Sequence, residues 1–186
     1  MKKSYIERAE HFAEIISRYI EAEMEANKAL SMVRAINGAA MKYNIDHSRH
    51  SLAVRSGTTR TVLMISDYVL KIDIHSSATF GDSETELKGY EFAVSEGIEK
   101  YFAKITKYTS KNDINFYIMP RIKQVGCMDD EWFYEDIYDN DPEAWHIIRG
   151  NFEDFHENNF GVKNGHPVAI DYACNCFTEN FYDMGW

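Results

Sequence analysis

Asp154-Phe155-His156-Glu157-Asn158-Asn159-Phe160-Gly161-Val162-Lys163-Asn164-Gly165-His166-Pro167-Val168-Ala169-Ile170-Asp171-Tyr172 is the stretch that decides the fold. Asn164-Gly165 is a strong hairpin-turn signal, because both residues accept the positive φ that a two-residue turn demands. The flanks 160–162 and 168–170 then read as two strands. Such a hairpin delivers Asn159 before its first strand and Asp171 after its second, at the same end, with Asp154 just upstream. Three oxygen-bearing side chains, one of them an amide, converge without any long-range assumption. Mg²⁺ takes hard oxygen ligands, usually one or two carboxylates completed by substrate phosphates and water. A further carboxylate that is not a ligand can accept a proton from an attacking hydroxyl.

Working outward, the chain of 186 residues suits one domain, with an appendage, and can bury a real core. Residues 4–43 form one long helical pattern, with Asn37-Gly38 as its candidate break. Phe12, Ile15, Ile16, Tyr19, Ile20, Met24, Ala29, Met32 and Val33 make an apolar stripe suited to docking on a core. From His50 the period changes. Ser51-Leu52-Ala53-Val54 precedes the small-residue turn Ser56-Gly57-Thr58-Thr59, and the β-rich runs 61–65 and 68–72 follow, separated by Ser66-Asp67. This predicts a three-stranded antiparallel meander. Asp82 and Ser83 cap a helix running to about Glu96, which Gly97 ends. Residues 102–108 and 115–119 are two more strands, the second closed by Pro120. The acidic, aromatic run 129–145 reads as a loop and a short helix, and Pro142 opens another helix through Arg149.

These residues carry a resemblance. Asp154-x-x-x-x-Asn159, followed by Ile170-Asp171 after a hairpin, resembles the catalytic loop and metal-binding segment of protein-kinase-like enzymes. The phrase from Asp154 to Gly161, with Asn164-Gly165 and Ile170-Asp171-Tyr172, looks like small kinase-like proteins encoded by bacteriophages. Tyr68-Val69-Leu70-Lys71-Ile72 resembles the third-strand lysine motif of the same fold, and the likeness covers about residues 50–173. The fold it implies is α+β, with a five-stranded antiparallel small lobe carrying one inserted helix. A truncated C-terminal lobe and an added N-terminal helix complete it. The segments are then 1–45 (helical), 46–125 (small lobe) and 126–186 (reduced C-terminal lobe).

The resemblance also implies roles and ligands. Asp154 would be the catalytic base, Asn159 and Asp171 would bind Mg²⁺, and Lys71 would hold the α- and β-phosphates of ATP. A helix glutamate would pair with Lys71: Glu86 is the choice, with Glu84 and Glu91 as alternatives. Ser56, Gly57 and Thr58 would stand in for the phosphate-covering loop, and Met119 would lie at the adenine hinge. The function implied is an ATP- and Mg²⁺-dependent phosphotransferase acting on a protein or small molecule.

The departures from the pattern are specific. Phe152 and Glu153 stand where regulated protein kinases carry His and Arg, and Tyr172-Ala173 stand where they carry Phe and Gly. The phosphate loop keeps one glycine. The 15 residues after Asp171 leave no room for a peptide-binding helical lobe. These departures raise the alternative of a weak or inactive pseudokinase, a phage-type binding protein acting on a host protein. A third reading, an acidic nucleic-acid mimic, is allowed by the charge but not by the arrangement of the acids. The net charge of −10 argues against a nucleic-acid-binding surface. No signal sequence and no membrane-length apolar run is visible, and Cys127, Cys174 and Cys176 are too few for a disulfide framework. The compartment expected is the cytoplasm, that of the host if the chain is phage-encoded. His146, His156 and His166 lack the compact spacing of a zinc site.

Overall fold

A computed structural model of the chain describes residues 4–47, 52–57, 59–74, 83–124, 130–152 and 159–173. The architecture is mixed, helices with antiparallel sheets. The chain divides into two compact units, Met1–Ser76 with Thr106–Arg121, and Ser77–Ile105 with Ile122–Trp186.

The first unit opens with helices α1 (Tyr5–Ala26) and α2 (Met32–Asp46). Ser4 starts α1 through a capping box: its Oγ accepts the Glu7 amide, and Glu7 Oε2 accepts the Ser4 amide at 2.8 Å. The run read as one helix is therefore two, and the break lies at 27–31, not at Asn37-Gly38. Asn27 leaves the helix in extended geometry, its Oδ1 accepts the Ala29 amide, and extended Ser31 precedes α2. Asn37-Gly38 lies inside α2. There a Cβ on Gly38 would stand 2.7 Å from Oε2 of Glu23, a flexible side chain of α1.

The strands β1 (Ala53–Ser56), β2 (Arg60–Ile65) and β3 (Tyr68–Asp73) form the meander expected from the alternation. With β4 (Thr106–Thr109) and β5 (Asn115–Pro120) they make an antiparallel sheet of order β1-β2-β3-β5-β4. Phe12, Ile16, Ile20, Ile36 and Tyr43 of the helices share one core with Leu63, Leu70, Ile72, Phe116 and Ile118 of the sheet. Each large side chain so buried contributes roughly 1.5–3 kcal/mol relative to exposure. Polar ties fix the register of α1 on the sheet. Glu14 Oε1 accepts the Tyr108 hydroxyl at 2.7 Å and the Lys111 amide at 3.0 Å, and Arg8 pairs with Asp67 in the β2–β3 turn. The Asn44 side chain of α2 bonds both the amide and the carbonyl of Leu52, in the manner of a neighbouring strand.

The second unit holds α3 (Ser83–Ser95), a 3₁₀ turn (Glu99–Tyr101), β6 (Lys123–Gln124), α4 (Asp130–Asn140), α5 (Pro142–Asn151), β7 (Phe160–Lys163) and β8 (His166–Ala169). Helix α3 is part of this second unit. Gly97 ends α3 at φ 73°, with the Ile98 amide bonded to Ala93 O and the Gly97 amide to Val94 O. This is the cap geometry that favours glycine. Pro142 opens α5 behind Asp141, whose carboxylate caps the Ala144 amide. The run read as a loop and short helix is mostly α4.

The hairpin forms as the Asn164-Gly165 signal demands, with φ of 55° and 87° at the turn. β6 adds to its outer side, giving the order β6-β7-β8. Phe160 stacks on Phe133 of α4 with ring centroids 4.1 Å apart. Residues 102–105, expected in the fourth strand, are outside it. Phe102 bridges Ala169 in parallel and the Ala103 amide donates to Ala169 O at 2.8 Å, so β4 begins only at Thr106. No helix among the described residues is long and apolar enough to cross a membrane.

Candidate functional site

The candidate residues fall into two groups, one on each unit. On the sheet of the first unit, side chains alternate between faces, and directly paired residues share a face. Leu63, Leu70, Ile72, Phe116 and Ile118 point to the helices. The opposite face therefore carries Lys71, paired with Val62 on β2 and Tyr117 on β5, and Met119, paired with Val69. Lys71 is only 4% exposed, whereas a lysine on a strand ordinarily keeps its ammonium in water. A buried ammonium is costly unless it is partnered, and no buried side-chain nitrogen or oxygen among the described residues lacks a hydrogen-bond partner. The face thus sets Val62, Val69, Tyr117 and Met119 around the buried Lys71, and it also carries Arg55, paired with Val62, Arg60, paired with Asp73, and Lys107, whose ammonium lies 5.7 Å over the Tyr117 ring. Val62 and Val69 follow from strand alternation in the meander, whereas Tyr117 and Met119 come from β5, which pairs with β3.

Ser56 and Gly57 lie where β1 turns into β2. The Gly57 amide donates to Arg60 O at 2.8 Å, and Ser56 Oγ lies 3.4 Å from Thr61 Oγ1. Thr58 lies outside the described residues. Gly57 has room for a Cβ, its nearest contact being Arg60 O at 3.5 Å, so local packing does not force a glycine there.

On the second unit, Asn159 and Asp171 are brought together. The Asn159 carbonyl accepts the Ile170 amide at 2.8 Å and the Asp171 amide at 3.4 Å, closing the hairpin at the end away from its turn. Asn159 is 9% exposed. Asp154 and His156 lie outside the described residues. Among the three helix glutamates, burial separates the candidates: Glu86 is 0% exposed, Glu84 is half-buried and Glu91 is exposed. Glu86 Oε1 accepts the amide of Tyr172, the residue after Asp171, at 3.2 Å. Helix α3 and the segment after the hairpin are therefore joined directly.

Tyr172 is the residue whose role the motif did not announce. Its hydroxyl donates to Ala103 O at 2.6 Å, and its ring meets Phe102 edge-on at 5.1 Å. No local signal could have found this, since Ala103 is distant in sequence. Desolvation, followed by the charges of Glu86, Tyr90 and Asp171, raises the phenol's pKa well above its usual value. His166 pairs with Asp136 at 3.5 Å. Among the described residues no three His, Cys, Asp or Glu side chains cluster to hold a metal. The Asn159–Asp171 pair supplies an amide and a carboxylate, a donor set that fits Mg²⁺ completed by phosphate and water.

No family model and no curated protein matches the chain. Among solved structures it is similar to the Legionella pneumophila Lpg2603 kinase bound to IP6, at 10% identity and a TM-score of 0.38, over 64% of this chain and 58% of that one. It is also similar to WbdD, in a co-crystal structure with the kinase inhibitor LY294002, at 15% identity and a TM-score of 0.31, over 68% of this chain and 33% of that one. The chain thus spans less than two thirds of the length of either protein. Both TM-scores lie below 0.5, too low for either likeness to carry an argument.

Proposed function

We propose that the chain is an ATP- and Mg²⁺-dependent phosphotransferase of the protein-kinase-like type, acting on a protein or small-molecule hydroxyl. The observation that carries this reading is the closure of the hairpin on the Asn159 carbonyl, which sets an amide and a carboxylate side chain at one end of one element. The burial of Lys71 and Glu86 supports it, because two ionisable side chains are kept where apolar ones would cost less.

In this reading Lys71 neutralises the α- and β-phosphates. The face of Val62, Val69, Tyr117 and Met119 receives the adenine ring. Asn159 and Asp171 hold Mg²⁺, which when bound neutralises the phosphate charge that develops in transfer. Asp154 accepts the proton of the attacking hydroxyl. Ser56, Gly57 and Thr58 lie over the phosphates.

The test is a thermal-shift titration with ATP and Mg²⁺. A ligand bound only by the folded state at a hundredfold excess over Kd stabilises it by about 2.7 kcal/mol. Wild type is expected to gain a metal-dependent stabilisation that Asp171→Ala loses. A wild type that ignores millimolar Mg²⁺·ATP sinks the reading.

A further inference from the structure

Tyr172 takes no part in the proposed chemistry, yet the second unit holds it at three points. Its hydroxyl donates to Ala103 O at 2.6 Å, its amide donates to Glu86 Oε1 at 3.2 Å, and its ring packs edge-on to Phe102 and Phe152. Ala103 is itself fixed, since its amide donates to Ala169 O at 2.8 Å. A closed circuit results: Ala169 leads along the chain to Tyr172, Tyr172 bonds back to Ala103, and Ala103 bonds back to Ala169. Asp171 lies inside that circuit, with its own amide directed to Asn159 O. A phenylalanine would fill the same ring site. A buried hydroxyl costs free energy unless it is bonded, so the bond to Ala103 is the reason to keep tyrosine here.

We propose that Tyr172 is a positioning residue for Asp171. Through the bond from its hydroxyl to Ala103, it fixes the backbone that carries the Asp171 carboxylate before any metal arrives. Metal binding then spends little on ordering this segment. The proposal rests on Asp171 being a Mg²⁺ ligand. It makes the metal-binding segment a preformed one, locked by a side-chain bond that a phenylalanine at 172 could not make.

The experiment measures ATP affinity by calorimetry, with and without Mg²⁺, for wild type, Tyr172→Phe and Asp171→Ala. The proposal expects Tyr172→Phe to bind Mg²⁺·ATP roughly tenfold more weakly while metal-free ATP binds as in wild type, the loss being that of about one hydrogen bond. A merely structural role would weaken both alike or neither, and either result overturns the proposal. If Asp171→Ala loses the metal-dependent affinity and Tyr172→Phe does not, only this proposal falls. If Asp171→Ala retains it, the functional reading falls as well. Should Tyr172→Phe fail to fold, amide exchange in the wild type without ligand decides. The Tyr172 and Ala103 amides are expected to exchange equally slowly, and a Tyr172 amide faster by about a hundredfold overturns the lock.

Discussion

Lys71 and Asp171 are held in contrasting ways. In the first unit a charged group sits on a sheet face amid Val62, Tyr117 and Met119, and the strands that carry it are backed by two helices through an aliphatic core. In the second unit the oxygen donors are placed by hydrogen bonds: Asn159 O to two amides, Glu86 to the Tyr172 amide, and Tyr172 to Ala103. Aromatic rings, Phe133 on Phe160 and Phe102 against Tyr172, fill the space around them. A cation needs only a buried platform and a partner. A pair proposed to hold a metal needs orientation, which directional bonds supply and packing alone does not.

The contrast can be broken first at the two cores. Phe133→Ala removes the ring stacked on the first residue of β7 and is expected to cost about 3–5 kcal/mol, while Leu70→Ala, at a fully buried site, costs about 2–5 kcal/mol. Denaturant titration measures both. A loss under about 1 kcal/mol in either would show that its site collapses around the missing atoms.

Next come two glycines. A Cβ on Gly161 would stand 2.5 Å from Ile122 Cγ2 and 3.0 Å from Lys123 O, so Gly161→Ala must push β6 from β7, at about 1–3 kcal/mol. Gly38→Ala meets only the flexible end of Glu23, and the better helix propensity of alanine, about 1 kcal/mol, offsets the contact. Melting temperatures should fall for the first variant and stay level or rise for the second. The reverse order would contradict the packing described.

The hairpin and meander were legible because their signals are local: Asn164-Gly165 for the turn, and alternation for strands 60–65 and 68–73. The helix break was not. Asn37-Gly38 looks like a breaker, but Gly38 lies inside α2 beside Glu23 of the other helix, and sequence spacing does not show that contact. The start of β4 was misplaced because 102–103 pair with Ala169, a partner many residues away. Lys71, Asn159 and Asp171 are visible in the sequence as a motif, and Glu86, chosen there with Glu84 and Glu91 as alternatives, is the fully buried one of the three. Asp154 and Thr58 lie outside the described residues.

The smallest effect concerns the tether of α1. The Tyr108 hydroxyl holds the Glu14 carboxyl below its usual pKa against the opposing effect of desolvation, with a smaller contribution from the Lys111 amide. A lowered folded pKa means that the contribution is present above the unfolded carboxyl value of about 4.3 and is lost as pH falls through and below it. Because Glu14 is partly solvated, this is worth under about 1 kcal/mol. Glu14→Gln should flatten the stability profile between about pH 5 and pH 3 without altering the plateau by more than that. An unchanged profile would show that the carboxylate is not what Tyr108 and Lys111 select.

The central claim is the proposal that Lys71 holds the phosphates and Asp171 the metal. Calorimetric titration of ATP into Lys71→Met and Asp171→Ala, each with and without Mg²⁺, tests it most directly. The account predicts that Lys71→Met weakens ATP binding in both conditions, while Asp171→Ala removes only the gain that Mg²⁺ brings. Equal losses for both variants in both conditions, or wild-type affinity in either variant, would contradict it.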